Sequence, residues 1–255
     1  MPDPYAVFGK YLTTIGKVAI AYSGGFDSTF MLAAASEYIP NNHIAIFVDT
    51  PMISERQKRN AIHISERLNS VLVIVELDWK DMPGIQDNNM ERCYFCKSAI
   101  YSNVKSVASD MGCDICICGD NFDDLKSDRP GRRATEELDI IRPLEDFMIT
   151  RGDIVNKVRS MDLGCVIVKD TCLSTRIPSG IPIGEESMRL IEHYESVIRD
   201  MCGVEQLRFR YFGDHAKIQT SPPEICKLMA HEAELEKYFQ SKKIIVDIDP
   251  NGYSG

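Results

Sequence analysis

The residues best suited to making and breaking bonds in this chain are a glycine-rich turn and three cysteines. The turn reads Ser23-Gly24-Gly25-Phe26-Asp27-Ser28 and follows the apolar run Lys17 to Tyr22. Such a run predicts a strand, and a helix is expected to start at Phe26 or Asp27. Two glycines let the backbone turn sharply and come close to a ligand. The unclaimed N–H groups of the helix start then face an anion, with Ser23 and Ser28 adding hydroxyl donors. Asp27 would repel phosphate unless a cation stood between them, which implies Mg²⁺. No Gly-Lys-Ser/Thr follows, so this is not a Walker loop, and the glycine spacing is not that of a dinucleotide fingerprint.

The cysteines form the second chemical set. In ERCYFCKSAIYSNV, Cys93 and Cys96 open a helix, where the positive end of the dipole and Lys97 favour thiolate. Two thiolates do not complete a metal site. Cys172, in DTCLSTRIPSG beyond the end of an expected strand, is the candidate third ligand. Three thiolates would hold a [4Fe–4S] cluster by three irons, and tetrahedral zinc with one open position is the competing chemistry. Cys113, Cys116, Cys118, Cys165, Cys202 and Cys226 sit among apolar neighbours and read as packing residues.

Gly119-Asp120 ends an expected strand at the same sheet edge as the glycine turn, within reach of a phosphate held there or its Mg²⁺. Asp49 follows the second expected strand, near where a resemblance to nucleotide-binding proteins would put adenosine. Asp124 and Asp128 are weaker metal candidates, and a solvated loop acid fits each equally. Arg129 and Arg133 have the fork geometry to grip a phosphate or carboxylate. Arg176 follows Cys172 closely enough to neutralise a substrate, and Arg208 and Arg210 share one face of a strand.

These groups must be carried by alternating strands and helices. Strands are expected at 17–22, 43–48, 71–76 and 114–118, helices at 27–38, 55–68 and from Cys93 to Met111. Strands separated by helices of that length mean a parallel sheet. Asp78–Arg92 reads as a loop, and the charged run Asn121–Glu137 fits either a surface loop or an active-site lid. A helix is expected at 152–161 and a short strand at 165–168. The Pro-, Gly- and Ser-dense STRIPSGIPIGEES marks a boundary between a domain of residues 1–174 and an α+β module of 175–255. The module reads as a helix at 185–201, a hairpin at 206–220, a helix at 224–239 and a strand at 243–248.

Composition bounds the rest. The 255 residues are 44% hydrophobic and 26% charged, enough for a real core. The net charge of −9 disfavours a broad nucleic-acid face. No apolar stretch is long enough to span a membrane and the first residues lack a signal-peptide layout, so a cytoplasmic location is expected. Nine cysteines there would be thiols, metal ligands or catalysts rather than disulfides.

The loop S-G-G-F-D-S resembles the PP-loop of the N-type ATP pyrophosphatases. With GDNFDDLKSDRPGRRA, DTCLSTRIPSG, LRFRYFGDHAKIQ and DIDPNGYSG in order, nearly the whole chain is similar to the LarE family. The resemblance implies a twisted parallel α/β sheet with a small C-terminal α+β module, and ATP cleavage between the α- and β-phosphates. It further implies adenylation of a carboxylate on a pyridinium dicarboxylate mononucleotide, followed by sulfur insertion in nickel-pincer cofactor synthesis. In this family the cysteine matching Cys172 either gives up its own sulfur or, with a Cys-x-x-Cys such as Cys93 and Cys96, holds a [4Fe–4S] cluster that relays sulfide. The strand of Arg208 and Arg210 is expected to bind the mononucleotide phosphate, although Gln219 stands where an acid is common. A sulfide or other sulfur donor and a homo-oligomer are expected partners. The nearest rivals are a tRNA thiolase of the same superfamily, an amide-forming synthetase, and a nucleotide-binding protein with a structural zinc or redox site.

Overall fold

The computed structural model describes residues 3–126, 130–165, 167 and 171–253. The chain forms two compact units, residues 1–85 with 91–167, and residues 86–90 with 168–255.

The first unit contains α1 (Pro4–Leu12), β1 (Val18–Ala21), α2 (Phe26–Tyr38), β2 (His43–Asp49), α3 (Glu55–Arg67), β3 (Leu72–Glu76), α4 (Arg92–Asp110), β4 (Ile115–Ile117), α5 (Pro130–Glu137), α6 (Pro143–Asp146) and α7 (Arg151–Arg159). Local chemistry sets many of these boundaries. The Asp3 carboxylate caps α1 with Pro4 as its first residue, Ser54 caps α3, and Thr150 with Asp153 forms a capping box on α7.

The sheet order is β3-β2-β1-β4 and every pairing is parallel. Period-2 alternation divides the strands between two faces. Val18, Ile20, Ala45 and Phe47 join one core with Phe8, Phe30, Ile64 and Ile154, while Ala19, Ile44, Ile46 and Val48 meet Val104 and Ala108 of α4 on the other. Both faces are thus covered by helices, as a parallel sheet requires. This is the α/β fold with a parallel sheet that the sequence predicts. Because β2 leaves β1 on one side and β4 returns on the other, the sheet has a switch point between the carboxyl ends of β1 and β4.

The charged run after Asn121 is more ordered than a loop. It holds a 3₁₀ turn at Phe122–Lys126 and then α5. Pro130-Gly131 resembles a chain break, yet proline is favoured at the first position of a helix. Packing on α4 and ion pairs together hold α5: Ala134 is fully buried with Tyr101 and Ile140, and Arg132 is bidentate on buried Glu145 at 2.8 and 2.9 Å. Asp128 and Arg129, expected as weaker site candidates, lie outside the described residues, as do positions 166 and 168 of the expected strand at 165–168.

The second unit contains α8 (Glu185–Cys202), β5 (Leu207–Tyr211), β6 (His215–Thr220), α9 (Ile225–Ala230), α10 (Glu232–Gln240) and β7 (Ile245–Ile248). Strands β5 and β6 form an antiparallel hairpin, and β7 adds in parallel beside β6. Phe209, Tyr194 and Phe239 stack into its core, with Phe209 and Phe239 ring centroids 5.2 Å apart. The single helix expected over 224–239 is two helices meeting at His231, whose Nδ1 donates to the Lys227 carbonyl at 2.9 Å. Asn88, from the loop between β3 and α4, belongs to this unit: its side-chain amide donates to the carbonyls of Pro178 and Ile181, both at 2.8 Å.

Candidate active site

The glycine turn leaves β1 at the switch point. The Ser23 N–H donates to Ser28 Oγ at 3.2 Å, and the two hydroxyls are 3.1 Å apart. Gln57 of α3 ties the turn down by donating to the Ser23 carbonyl at 2.8 Å. Gly24 has a φ of +73°, and a Cβ there would stand 2.9 Å from the Ala61 methyl, so glycine is required on both counts. Gly25 starts α2 with no side-chain cap, which leaves that helix start to a ligand.

A pocket of about 330 Å³ opens beside this turn. Ser23, Gly25, Asp27 and Ser28 line it together with Gly119, Asp120 and Asp124, which follow β4. Ile46, Val48 and Ile53 supply an apolar side. Asn121 donates to Asp27 at 3.3 Å, and its own N–H reaches Asp124 Oδ2 at 3.2 Å. Gly119 is as tightly placed as Gly24: a Cβ there would meet Asp27 Cβ and the Ser28 nitrogen, each at 3.1 Å.

Charges in the pocket are unequal partners. Burial pushes the Asp27 carboxyl up to about 6, against the pull of Arg151, and the neighbouring Asp124 and Asp120 charges add to the rise. A cation here would relieve all three acids. Among the described residues no group of three or more His, Cys, Asp or Glu side chains is placed to hold a metal ion. Mg²⁺ does not need one, since it binds through one or two carboxylates together with substrate phosphates and water. The donor set fits that ion.

Two cations face the pocket that sequence reading did not assign to it. The Lys97 ammonium lies 3.0 and 3.2 Å from the two Asp120 oxygens. Arg151 stands 3.6 Å from Asp124, and its N–H donates to Asp123 at 2.9 Å. The signal for Arg151 was its place at the start of a capped helix, which has no spacing relation to the glycine turn. Cys118 also lines the pocket at 2% exposure, and burial pushes its thiol up to about 12, so it is a wall and not a nucleophile. Asp49, expected near adenosine, ends β2 and pairs with Lys58 of α3.

Cys93 lies in the first turn of α4 and Cys96 at the start of the next, three residues apart on one helical face, with Cys93 exposed and Cys96 half-buried. Arg92 approaches the Cys93 sulfur at 3.8 Å. Arg133, expected as a phosphate grip, is engaged by the Glu91 carboxylate and stacks 3.7 Å from the Tyr94 ring centre. Two accessible thiols at a helix start suit a thiolate-bound iron or zinc group. Cys226, read as a packing residue, is exposed.

Cys172 belongs to the second unit, half-buried at the start of a 3₁₀ turn, with its sulfur 2.8 Å from Ser174 Oγ. Arg208 and Arg210 share the sheet face opposite Phe209. Arg208 donates to the Tyr253 hydroxyl and lies over that ring, while Arg210 donates to Gln219, which donates in turn to Asp249 at 2.7 Å. Arg176 departs from the expected substrate contact. Only 1% of it is exposed, and Glu195 takes its Nε at 2.7 Å, so its charge is matched inside the unit.

No protein-family model matches the chain. It is 32% identical to an uncharacterized protein of Methanocaldococcus jannaschii, over 91% of this chain and 90% of that one. The pyridinium-3,5-bisthiocarboxylic acid mononucleotide synthase of Lactiplantibacillus plantarum is 22% identical over 90% of this chain and 84% of its own length. A probable tRNA sulfurtransferase of Alkaliphilus metalliredigens is 24% identical over 76% of this chain and 52% of its own length. With a glycine turn at the switch point of a parallel sheet and similarity running over nine-tenths of its length, the chain belongs to the LarE family of PP-loop ATP pyrophosphatases.

Proposed function

We propose that the chain is an ATP-dependent sulfurtransferase that adenylates a carboxylate and replaces the AMP with sulfur. The observation that carries this reading is the pocket at the β1–β4 switch point, where the glycine turn and the uncapped start of α2 face Asp27, Asp120 and Lys97. Ser23, Gly24, Gly25 and Ser28 would hold the β- and γ-phosphates, with Asp27 and Asp120 on Mg²⁺ and the adenosine against Ile46, Val48 and Ile53. A substrate carboxylate oxygen attacks the α-phosphorus and pyrophosphate leaves. A sulfur nucleophile then attacks the acyl carbon and AMP leaves.

Cys93, Cys96 and Cys172 would hold a [4Fe–4S] cluster, which supplies an exchangeable sulfide for that second step. Arg208 and Arg210 would bind the phosphate of a nucleotide substrate, for which the similarity to the plantarum synthase suggests a pyridinium dicarboxylate mononucleotide. A small-molecule sulfur donor, a homo-oligomer and a cytoplasmic setting belong to the same reading. Similarity to a tRNA sulfurtransferase supports a tRNA thiolase as the second reading, against which the net charge of −9 weighs.

The test is anaerobic purification with iron and labile-sulfide assays, followed by pyrophosphate release with the mononucleotide or with tRNA as acceptor. Iron, sulfide and mononucleotide-dependent release are expected. Iron-free protein that still transfers sulfur would make Cys172 itself the donor, and release that answers only to tRNA would favour the thiolase.

A further inference from the structure

Glu195 of α8 is buried, and its carboxylate collects four donors. Arg176 reaches it through Nε at 2.7 Å and Nη2 at 3.3 Å, Arg199 through Nη2 at 2.9 Å, and Phe209 through its backbone N–H at 3.1 Å. The other edge of the Arg176 guanidinium faces the segment that carries Cys172. Nη1 donates to the Thr171 carbonyl at 2.7 Å, the Thr171 hydroxyl at 2.8 Å and the Cys172 carbonyl at 3.3 Å. Nη2 also reaches the Leu207 carbonyl at 3.4 Å. Leu207 and Phe209 are the two residues flanking Arg208.

A buried ion pair is a poor way to add stability, because desolvation offsets most of the attraction. Its geometry is specific, however, since a planar fork and a carboxylate fix directions that apolar side chains would not. Here one pair, with its carboxylate carried on α8, bonds the backbone of two elements: the Cys172 segment, and β5 on both sides of Arg208.

We infer that Arg176 and Glu195 are positioning residues that set the register of Cys172 against the Arg208–Arg210 face. This inference rests on the reading of Cys172 as a sulfur-handling residue and of the arginine face as a substrate-phosphate site. Neither side chain needs to touch substrate. Arg176 acts through the carbonyls of Thr171 and Cys172, and Glu195 through the N–H of Phe209.

The test uses the full chain with two variants, Arg176→Lys and the double replacement Arg176→Met with Glu195→Met. The lysine keeps the charge and loses the fork; the double variant removes both charges together so that neither is left buried alone. Circular dichroism and thermal melting select the folded variants. Peptide mass mapping then follows iodoacetamide alkylation of Cys172 in protein freed of metal, and sulfur transfer is measured beside pyrophosphate release. The expected result is alkylation faster by about fivefold and kcat for sulfur transfer down by about tenfold, with pyrophosphate release from ATP within twofold of wild type. A folded variant with unchanged Cys172 alkylation overturns the inference, whether or not transfer falls. Wild-type protein that transfers no sulfur while the alkylation difference persists would instead refute the functional reading and leave the positioning role standing.

Discussion

The side-chain amide of Asn121 donates to Oδ1 of Asp27 at 3.3 Å, joining the chain after β4 to the first turn of α2. That bond ties together the chain segments that follow β1 and β4 at the switch point. It gives Asp27 a neutral donor where Asp120 and Asp124 supply only further negative charge. Asp27 is therefore held in a place that a carboxylate occupies at a cost.

Asp27→Asn should stabilise the protein while abolishing its activity. The folded carboxyl titrates near 6, above the ordinary value of 3.8, so the folded state holds this proton more tightly than the unfolded one. Stability from this group therefore falls as pH rises from about 4 to about 6 and stays low above that. Removing the charge should add on the order of 2 kcal/mol at pH 7.5 and nothing below pH ~4. Urea denaturation at both pH values checks this, and a variant less stable at pH 7.5 would refute it.

The same titration predicts the pH dependence of magnesium. Binding Mg²⁺ through Asp27 requires the ionised form, so its dissociation constant should rise by about tenfold per pH unit below about 6. Calorimetry with Mg²⁺ and a non-hydrolysable ATP analogue reads this directly. A flat profile between pH 5 and 7 would remove Asp27 from the cation site.

Gly24→Ala and Gly119→Ala should fail for different reasons. The first forces a methyl into a φ of +73° and against Ala61, which should cost about 1–3 kcal/mol of stability. The second places a methyl 3.1 Å from Asp27 Cβ and the Ser28 nitrogen, where it would shift the first turn of α2. Both should weaken ATP binding by at least about tenfold, as measured by equilibrium dialysis, with the larger drop in melting temperature for Gly24→Ala.

Thiol reactivity should rank the cysteines. Cys93 and Cys226 are exposed and should be alkylated first in metal-free protein at pH 8. Cys118 and Cys202 are buried, with thiols pushed up to about 12 and about 11, and should react only on unfolding. Time-resolved peptide mapping gives the order, and early labelling of Cys118 would contradict the packing of the pocket wall.

Arg208→Ala should separate the two substrates. Burial and the Arg176 and Arg210 charges depress the Arg208 guanidinium, and Tyr253 offsets them in part, so an anion there would gain from pairing with it. Its loss should raise KM for a phosphorylated acceptor by about tenfold or more and leave KM for ATP within twofold. Steady-state kinetics with each substrate varied in turn decides the matter.

Much of the local structure could be read from residue order alone. The unbroken apolar run within His43–Asp49, the Ser54 and Thr150 caps and the amphipathic run of α8 are short-range signals, because each depends on neighbours within a few residues. Helix α5 escaped because the face it buries is made of small residues, Gly131, Ala134 and Thr135, with ion pairs to Glu91 and Glu145 beside them, and a Pro-Gly start resembles a break. The break at His231 carried no such signal.

The sequence by itself determined which groups could bind phosphate and which could be thiolates, since composition and spacing fix chemical type. Only the tertiary structure decided which of them meet. Lys97 finds Asp120 across 23 positions and Arg151 faces Asp124, because α4 and α7 begin at the edge of a sheet whose order, β3-β2-β1-β4, is not written in any one segment. Arg176 looks like a substrate ligand beside Cys172, yet folding buries it on Glu195. Whether a charge faces solvent or a partner depends on packing between distant elements, and one-dimensional spacing does not record that.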